Sequence, residues 1–111
     1  MDKRNVNGSV HISNQAIAKI ASSAIQATNE VTALVQGRTK RTDKKKFYKA
    51  IGIEIKELEL IIDINPIVRL ETPLHQLSRT LQFKVKQEVE KMTGLIVSAV
   101  NIGVVGIRSE E

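Results

Sequence analysis

Few side chains in this 111-residue sequence are of the types that carry out catalysis. There is no cysteine, and the two histidines, His11 and His75, belong to no H-x-H, H-E-x-x-H or E-x-x-H pattern. Ser78 follows His75 by one helical turn, but no acidic partner and no G-x-S-x-G motif accompanies the pair. The glycines form neither a Walker nor a G-x-G-x-x-G motif, and the G-x-x-G at residues 103–106 lies in an apolar predicted strand, where a phosphate-binding loop is not expected. The sequence therefore predicts no catalytic residue, no metal site, no cofactor and hence no enzyme.

A group of carboxylates lies near the middle of the chain. Its members are Glu54, Glu57, Glu59 and Asp63. Acid–base catalysis by such a pair needs one carboxyl group in an apolar pocket that raises its pKa. The alternation of apolar and polar residues instead places these carboxylates on the outer face of a predicted hairpin, so we interpret them as solvated.

The positive charge is concentrated in one segment. Against 17 Lys and Arg the chain has 12 Asp and Glu, for a net charge of +5. Residues 38–49 alone hold seven basic residues and one acidic residue, so the rest of the chain is close to neutral. Turn-prone residues without periodicity predict a long mobile basic loop over 36–49. The candidate residues for binding anions or a partner are Arg38, Lys40, Arg41, Lys44, Lys45, Lys46, Phe47, Tyr48 and Lys49.

Four interpretations of this loop are open. A block of like charges is often a solvated loop that only keeps a protein soluble. It can also attract nucleic acid, anionic lipid headgroups or an acidic protein surface, and each Lys or Arg at a lipid surface contributes about 1 kcal/mol. Phe47 and Tyr48 would then stack on a base or enter a lipid interface, although aromatic residues at such a junction commonly pack on the sheet.

The first half of the chain alternates between strand and helix patterns. Residues 9–12 predict a short strand, and Ser13 is a good cap for an amphipathic helix that ends near Thr28. After the basic loop, residues 51–55 and 58–64 alternate in opposite phases, which predicts two antiparallel strands joined tightly at 56–57. An apolar run at residues 31–35 is left unassigned.

The second half contains the longest predicted helix. Thr72 provides a hydroxyl cap, Pro73 suits the first helical position, and Gly94 suits a left-handed cap at the end. The exposed Phe83, which lies off the apolar stripe of this helix, is a further candidate contact residue. The apolar stripe consists of Leu74, Leu77, Leu81, Val85, Val89 and Met92.

The last apolar run completes the predicted architecture. Pro66 interrupts the extended stretch that continues over residues 67–70, which predicts an edge position or a bulge there. Residues 96–107 are apolar at nearly every position, which predicts a strand that is central or covered on both faces. The fold class is therefore α+β, a two-layer sandwich with two helices on one mainly antiparallel sheet in the order β-α-β-β-α-β.

Composition limits the class of protein further. Hydrophobic residues make up 41% of the chain and charged residues 26%, which fits a single globular domain over residues 8–108 with a flexible start at 1–7 and a tail at 109–111. No secretion signal and no run of 18 apolar residues is visible. Together with the lack of cysteine, this predicts a cytoplasmic location.

Three stretches together resemble the alkaline shock protein family, the Gls-type envelope stress response proteins of Gram-positive bacteria. Residues 8–13 (GSVHIS) and 16–21 (AIAKIA) are similar to its opening motif. Residues 81–86 (LQFKVK) and 89–95 (VEKMTGL) resemble its central "V-Q-x-K-V-K…V-E-x-M-T-G-L". Residues 100–107 (VNIGVVGI) resemble its closing motif, so the resemblance covers nearly the whole chain.

The resemblance implies a small cytoplasmic α+β domain without enzymatic activity that serves cell-envelope homeostasis. It implies protein partners, namely a membrane-anchored protein or further copies of the chain. The middle of this chain is longer and more basic than is usual in the family, which adds an anionic lipid surface as an expected partner. The alternative is a small nucleic-acid-binding module that uses the basic loop at 38–49.

Overall fold

The first described helix begins directly after its predicted cap. In the computed structural model, which describes residues 12–109, helix α1 spans Asn14–Gln26 and the Ser13 hydroxyl accepts a hydrogen bond from the Ala16 amide at 3.0 Å. Of the strand predicted at 9–12, Ile12 lies in no strand and the other positions lie outside the described residues.

Six strands, a 3₁₀ helix and a second α-helix follow. Their bounds are β1 Val31–Gln36, β2 Thr39–Arg41, the 3₁₀ helix Lys44–Ala50, β3 Gly52–Lys56, β4 Glu59–Arg69, α2 Leu74–Thr93, β5 Ile96–Ile102 and β6 Gly106–Arg108. The predicted hairpin is confirmed as β3 and β4, whose turn places Glu57 at φ 57°. The unassigned apolar run at 31–35 is β1, so the described order contains more strands than the sequence predicted.

The long strand β4 organises the sheet. Along one side it pairs antiparallel with β3 and then with β1, which in turn pairs with β2. Along the other side it pairs parallel with β5 and then with β6. The sheet is therefore mixed, and the predicted α+β class is confirmed.

The core lies between the sheet and the two α-helices. Alternate residues of β4 face the helices and are buried, while the intervening residues are half-buried on the other face. Each large apolar side chain that leaves water contributes about 1.5–3 kcal/mol. The fully buried residues of the two α-helices and β4 are Ile17, Ala21 and Ile25 of α1, Leu81, Val85 and Val89 of α2, and Leu60, Ile62, Ile64 and Val68 of β4.

Pro66 lies inside the central strand, so of the two predicted alternatives the edge position is wrong, while a bulge does lie beside it in the partner strand. The ladder is irregular around it: Thr32 forms a bulge in β1, and its hydroxyl donates to the Ile67 carbonyl at 3.1 Å. On the other side, the partner strand changes from β5 to β6, and the Val105 amide donates to the Pro66 carbonyl at 3.0 Å. A proline is tolerated here because its missing N–H faces the connection between two partner strands.

Helix α2 confirms most of its predicted features. It starts one residue later than predicted, at Leu74, and Pro73 occupies the cap position without a side-chain hydrogen bond. Gly94 ends the helix with φ 75°, as a left-handed cap requires. The middle of the apolar stripe is buried, but its end residue Met92 is 59% exposed.

Within the described residues, the final apolar run is neither central nor covered on both faces, which corrects the prediction. Residues 103–105 interrupt it, and in the described chain both resulting strands pair with β4 alone. Ile96 and Ile107 are more than half exposed. Apolar composition misled the prediction because these side chains lie at the rim of the sheet, where no element of residues 12–109 covers them.

Candidate functional site

The basic segment is ordered, so the prediction of a long mobile loop is wrong. Residues 39–41 form β2, and residues 44–50 form the 3₁₀ helix. Asp43, the one acidic residue of the segment, caps this helix: its carboxylate accepts a hydrogen bond from the Lys45 amide at 3.0 Å. Its carbonyl accepts another from the Lys46 amide at 2.8 Å.

Burial of Phe47 explains this order. Its side chain is 0% exposed, and Ala50 is buried on the same side of the 3₁₀ helix, where side chains three residues apart line up. Phe47 therefore belongs to the core and is wrong as a candidate for base stacking or lipid insertion. Tyr48 is half-buried, and the Lys19 ammonium of α1 lies 5.0 Å from the centre of its ring.

The lysines of the 3₁₀ helix face outward around this anchor. Lys45, Lys46 and Lys49 are exposed, and Lys44 is half-buried. Lys19 joins them through its position over Tyr48, because attraction between a cation and an aromatic face favours this placement. We call Lys19, Lys45, Lys46 and Lys49 the basic surface.

The remaining basic candidates lie on the hairpin of β1 and β2. Arg38 is exposed in the turn after Gly37, whose φ is 59°. Lys40 is exposed opposite Val35 in the strand register. Arg41 is half-buried, and its Nε atom is buried without a hydrogen-bond partner. The seven basic residues are thus divided between two elements, and the sequence could not show the contribution of Lys19 because α1 is distant in the chain.

A shallow cleft of about 360 Å³ adjoins the basic surface. Its walls come from the first turns of α1, the end of the 3₁₀ helix and the start of β3, and they include Asn14, Gln15, Tyr48 and Lys49. Gly52 lies on its floor, where a Cβ atom would approach the Gln36 Nε2 atom to 2.6 Å. The cleft offers amide, phenol and ammonium groups to an anionic or polar group of a partner.

The other candidate contact, Phe83, lies elsewhere. It is 65% exposed on α2, as predicted, and it lines neither this cleft nor the basic surface. His75 is also exposed on α2, with its Nε2 atom 3.4 Å from Arg79. Within residues 12–109 there is no group of three or more His, Cys, Asp or Glu side chains that could hold a metal ion. His11 lies outside the described residues.

The carboxylates of the hairpin take the positions that were predicted for them. Glu54, Glu57 and Glu59 are exposed. Asp63, which is half-buried on the outer face of the sheet, accepts a hydrogen bond from the Asn101 amide at 2.8 Å.

A second cleft, of about 270 Å³, lies beside the start of α2 and was missed from the sequence. Thr28, Glu30, Thr72 and Lys84 are among its lining residues. Thr28 is 7% exposed and its hydroxyl has no hydrogen-bond partner. No local pattern could have found this cleft, because its walls come from residues that are distant in sequence.

None of the helices in the described part of the chain is long and apolar enough to cross a membrane. Residues 2–109 match the model of the alkaline shock protein 23 family, which is described as having a cell envelope-related function. The chain belongs to this family. Membership confirms the resemblance that the motifs indicated and places the chain among envelope-related proteins.

A relative in Bacillus subtilis (strain 168), named "Uncharacterized protein YloU", is 29% identical over 114 residues. The alignment covers 97% of this chain and 95% of the relative, so the two proteins are similar from end to end. No solved structure matches the chain significantly.

Proposed function

We propose that this member of the alkaline shock protein family is a non-enzymatic scaffold or adaptor of the cell-envelope stress response. It acts from the cytoplasm through protein contacts near the inner membrane surface, with a membrane-anchored protein or further copies of itself as partners. The observation that supports this most is the basic surface, because three exposed lysines are held on an ordered helix by the buried Phe47. A preorganised set of charges loses less conformational entropy on binding than a mobile loop does.

Two further observations support a contact role. Two described side chains of types often used in catalysis have a neighbour: His75 lies beside Arg79, and Asp63 accepts a hydrogen bond from Asn101. The envelope-related family adds the cellular context.

Cell fractionation with matched charge variants tests the proposal. We expect the wild-type protein to sediment with the membrane fraction and to co-purify with a membrane protein. Neutralising the three exposed lysines of the 3₁₀ helix should release it, whereas neutralising three exposed lysines elsewhere should not. The first variant is K45Q/K46Q/K49Q and the control variant is K56Q/K84Q/K91Q.

A soluble wild-type protein without any membrane partner would contradict the envelope role.

The alternative, a nucleic-acid-binding module, uses the same lysines with Tyr48 as the accessible aromatic side chain. It predicts binding to RNA or DNA that weakens steeply with salt and is detectable at about 50 mM salt. Absence of such binding eliminates this alternative.

A further inference from the structure

Within residues 12–109, the outer edge of β5 is covered by side chains of α2 and not by another strand. The Val97 amide donates to the Glu90 carboxylate at 2.9 Å, and the Lys86 ammonium donates to the Val97 carbonyl at 3.0 Å. One turn earlier, the Gln82 amide donates to the Val100 carbonyl at 3.0 Å. These three side chains supply the hydrogen bonds that a neighbouring strand would otherwise make.

The three side chains lie four residues apart and form one row along α2. Lys86 and Glu90 also form an ion pair at 3.0 Å, which we call the latch. Their side chains are 52% and 33% exposed. Water competes with an ion pair at such exposure, so opening the latch costs little.

The strand beneath the latch has the features of a pairing edge. Residues 96–102 (IVSAVNI) contain no charged side chain, and edge strands without charge are prone to pair with another chain. A groove of about 370 Å³ runs between β5 and α2, lined by residues that include Gln82, Lys86, Ser98 and Asn101.

We infer that the outer edge of β5 is a strand-addition site for β5 of a second copy, paired antiparallel about a two-fold axis, and that the latch guards this site. Two observations identify a second copy as the occupant. When an uncharged strand pairs with the same strand of a second copy, no like charges face each other across the pair. In addition, the row on α2 is self-complementary, because a two-fold axis can bring Lys86 of one copy opposite Glu90 of the other. The two ion pairs that lie within the separate chains are then replaced by two ion pairs between the chains.

The proposed scaffold function includes self-association, and the edge of β5 is the surface through which copies would associate. The inference rests on the proposed function only in this respect. A purified protein tests it without reference to membranes, so failure here leaves the fractionation result unaffected.

Charge swapping tests the inference. We expect the wild-type protein to self-associate reversibly in sedimentation velocity between about 10 μM and 1 mM, the range of weak contacts. K86E and E90K each bring like charges together across the axis and should associate at least about tenfold more weakly. An equimolar mixture of the two variants restores opposite charges and should regain the wild-type affinity. The matched control for charge is K91E mixed with E88K, which should show no difference between single variants and mixture.

Hydrogen exchange gives a second readout that does not depend on the variants. The amides of residues 96–102 in the wild-type protein should become more protected as concentration rises. Three results would overturn the inference: a wild-type protein that stays monomeric to about 1 mM, a mixture no tighter than its components, or association without added protection in β5.

Discussion

Phe47 is fully buried although charged residues surround it in the chain. Lys46 and Lys49 beside it are exposed, so one apolar side chain holds a highly charged element against the core. Asp43 contributes at the other end by capping the 3₁₀ helix. The basic surface therefore depends on a residue that cannot itself touch a ligand.

Replacing Phe47 with alanine should destabilise the protein by about 3–5 kcal/mol, because the change leaves a cavity in a fully buried position. Urea denaturation followed by circular dichroism measures the loss. Lys46→Ala is the control, and as a change at an exposed position it should stay within about 0.5 kcal/mol of wild type. Equal stability of the two variants would show that Phe47 does not anchor the segment.

At the scale of elements, α2 has two separate tasks. Its apolar stripe packs on the sheet through Leu81, Val85 and Val89, and its polar row covers the edge of β5. The hydrogen bond from the Val97 amide and the nearby Lys86 ammonium hold the pKa of Glu90 below its ordinary value. The latch is thus formed with an ionised carboxylate.

This pKa shift predicts a pH dependence. A carboxylate with a lowered pKa in the folded state contributes stability above its unfolded pKa, and this contribution is lost as pH falls through the folded pKa. The unfolding free energy of wild type should therefore exceed that of E90Q at neutral pH, and the difference should shrink in acid, below the ordinary carboxyl pKa. Lys86 is the charged neighbour of this carboxylate, and β5 presents backbone groups to it. Unfolding curves at several pH values measure the difference.

The control for this experiment is E88Q, which removes a carboxylate from the same helix outside the latch. Its stability should follow that of wild type across the acid range. If the unfolding free energies of wild type and E90Q instead change in parallel with pH, the latch contributes no stability that depends on the ionisation of Glu90.

At the scale of the molecule, positive charge is concentrated on one surface. The basic surface combines α1 and the 3₁₀ helix, whereas the hairpin of β3 and β4 carries both signs, with Lys56 paired to Glu54 at 3.7 Å. A concentrated patch of charge orients a protein in the field of a charged surface. Salt screens this field over a Debye length of about 8–10 Å at physiological ionic strength.

We expect direct binding to vesicles rich in phosphatidylglycerol at low salt. Neutralising Lys45, Lys46 and Lys49 removes about 1 kcal/mol per lysine, which corresponds to roughly a 100-fold weaker partition. Vesicle co-sedimentation measures it, with the variant K56Q/K84Q/K91Q and neutral vesicles as controls. An equal loss in both triple variants would mean that net charge matters and the basic surface does not.

Local patterns determined several elements before any tertiary contact is considered. The Ser13 cap, the Gly94 cap and the buried stripe of α2 follow from propensity and 3.6-residue periodicity, and the change of phase near residue 56 determines the hairpin. The family follows from motifs spread over the chain. The signals for the caps, the stripe and the hairpin are readable because each depends on residues that are close together in the sequence.

Tertiary structure alone decided which residues of the basic segment are accessible and what covers β5. The 3₁₀ helix has two apolar anchors, Phe47 and Ala50, which are too few for a periodic signal among lysines. Their burial depends on α1, which packs against this helix from a distant part of the chain. The edge of β5 is likewise covered by Lys86 and Glu90 only because α2 folds back beside it. Whether a side chain is exposed depends on which residues pack against it in space, and the order of residues in the sequence does not specify them.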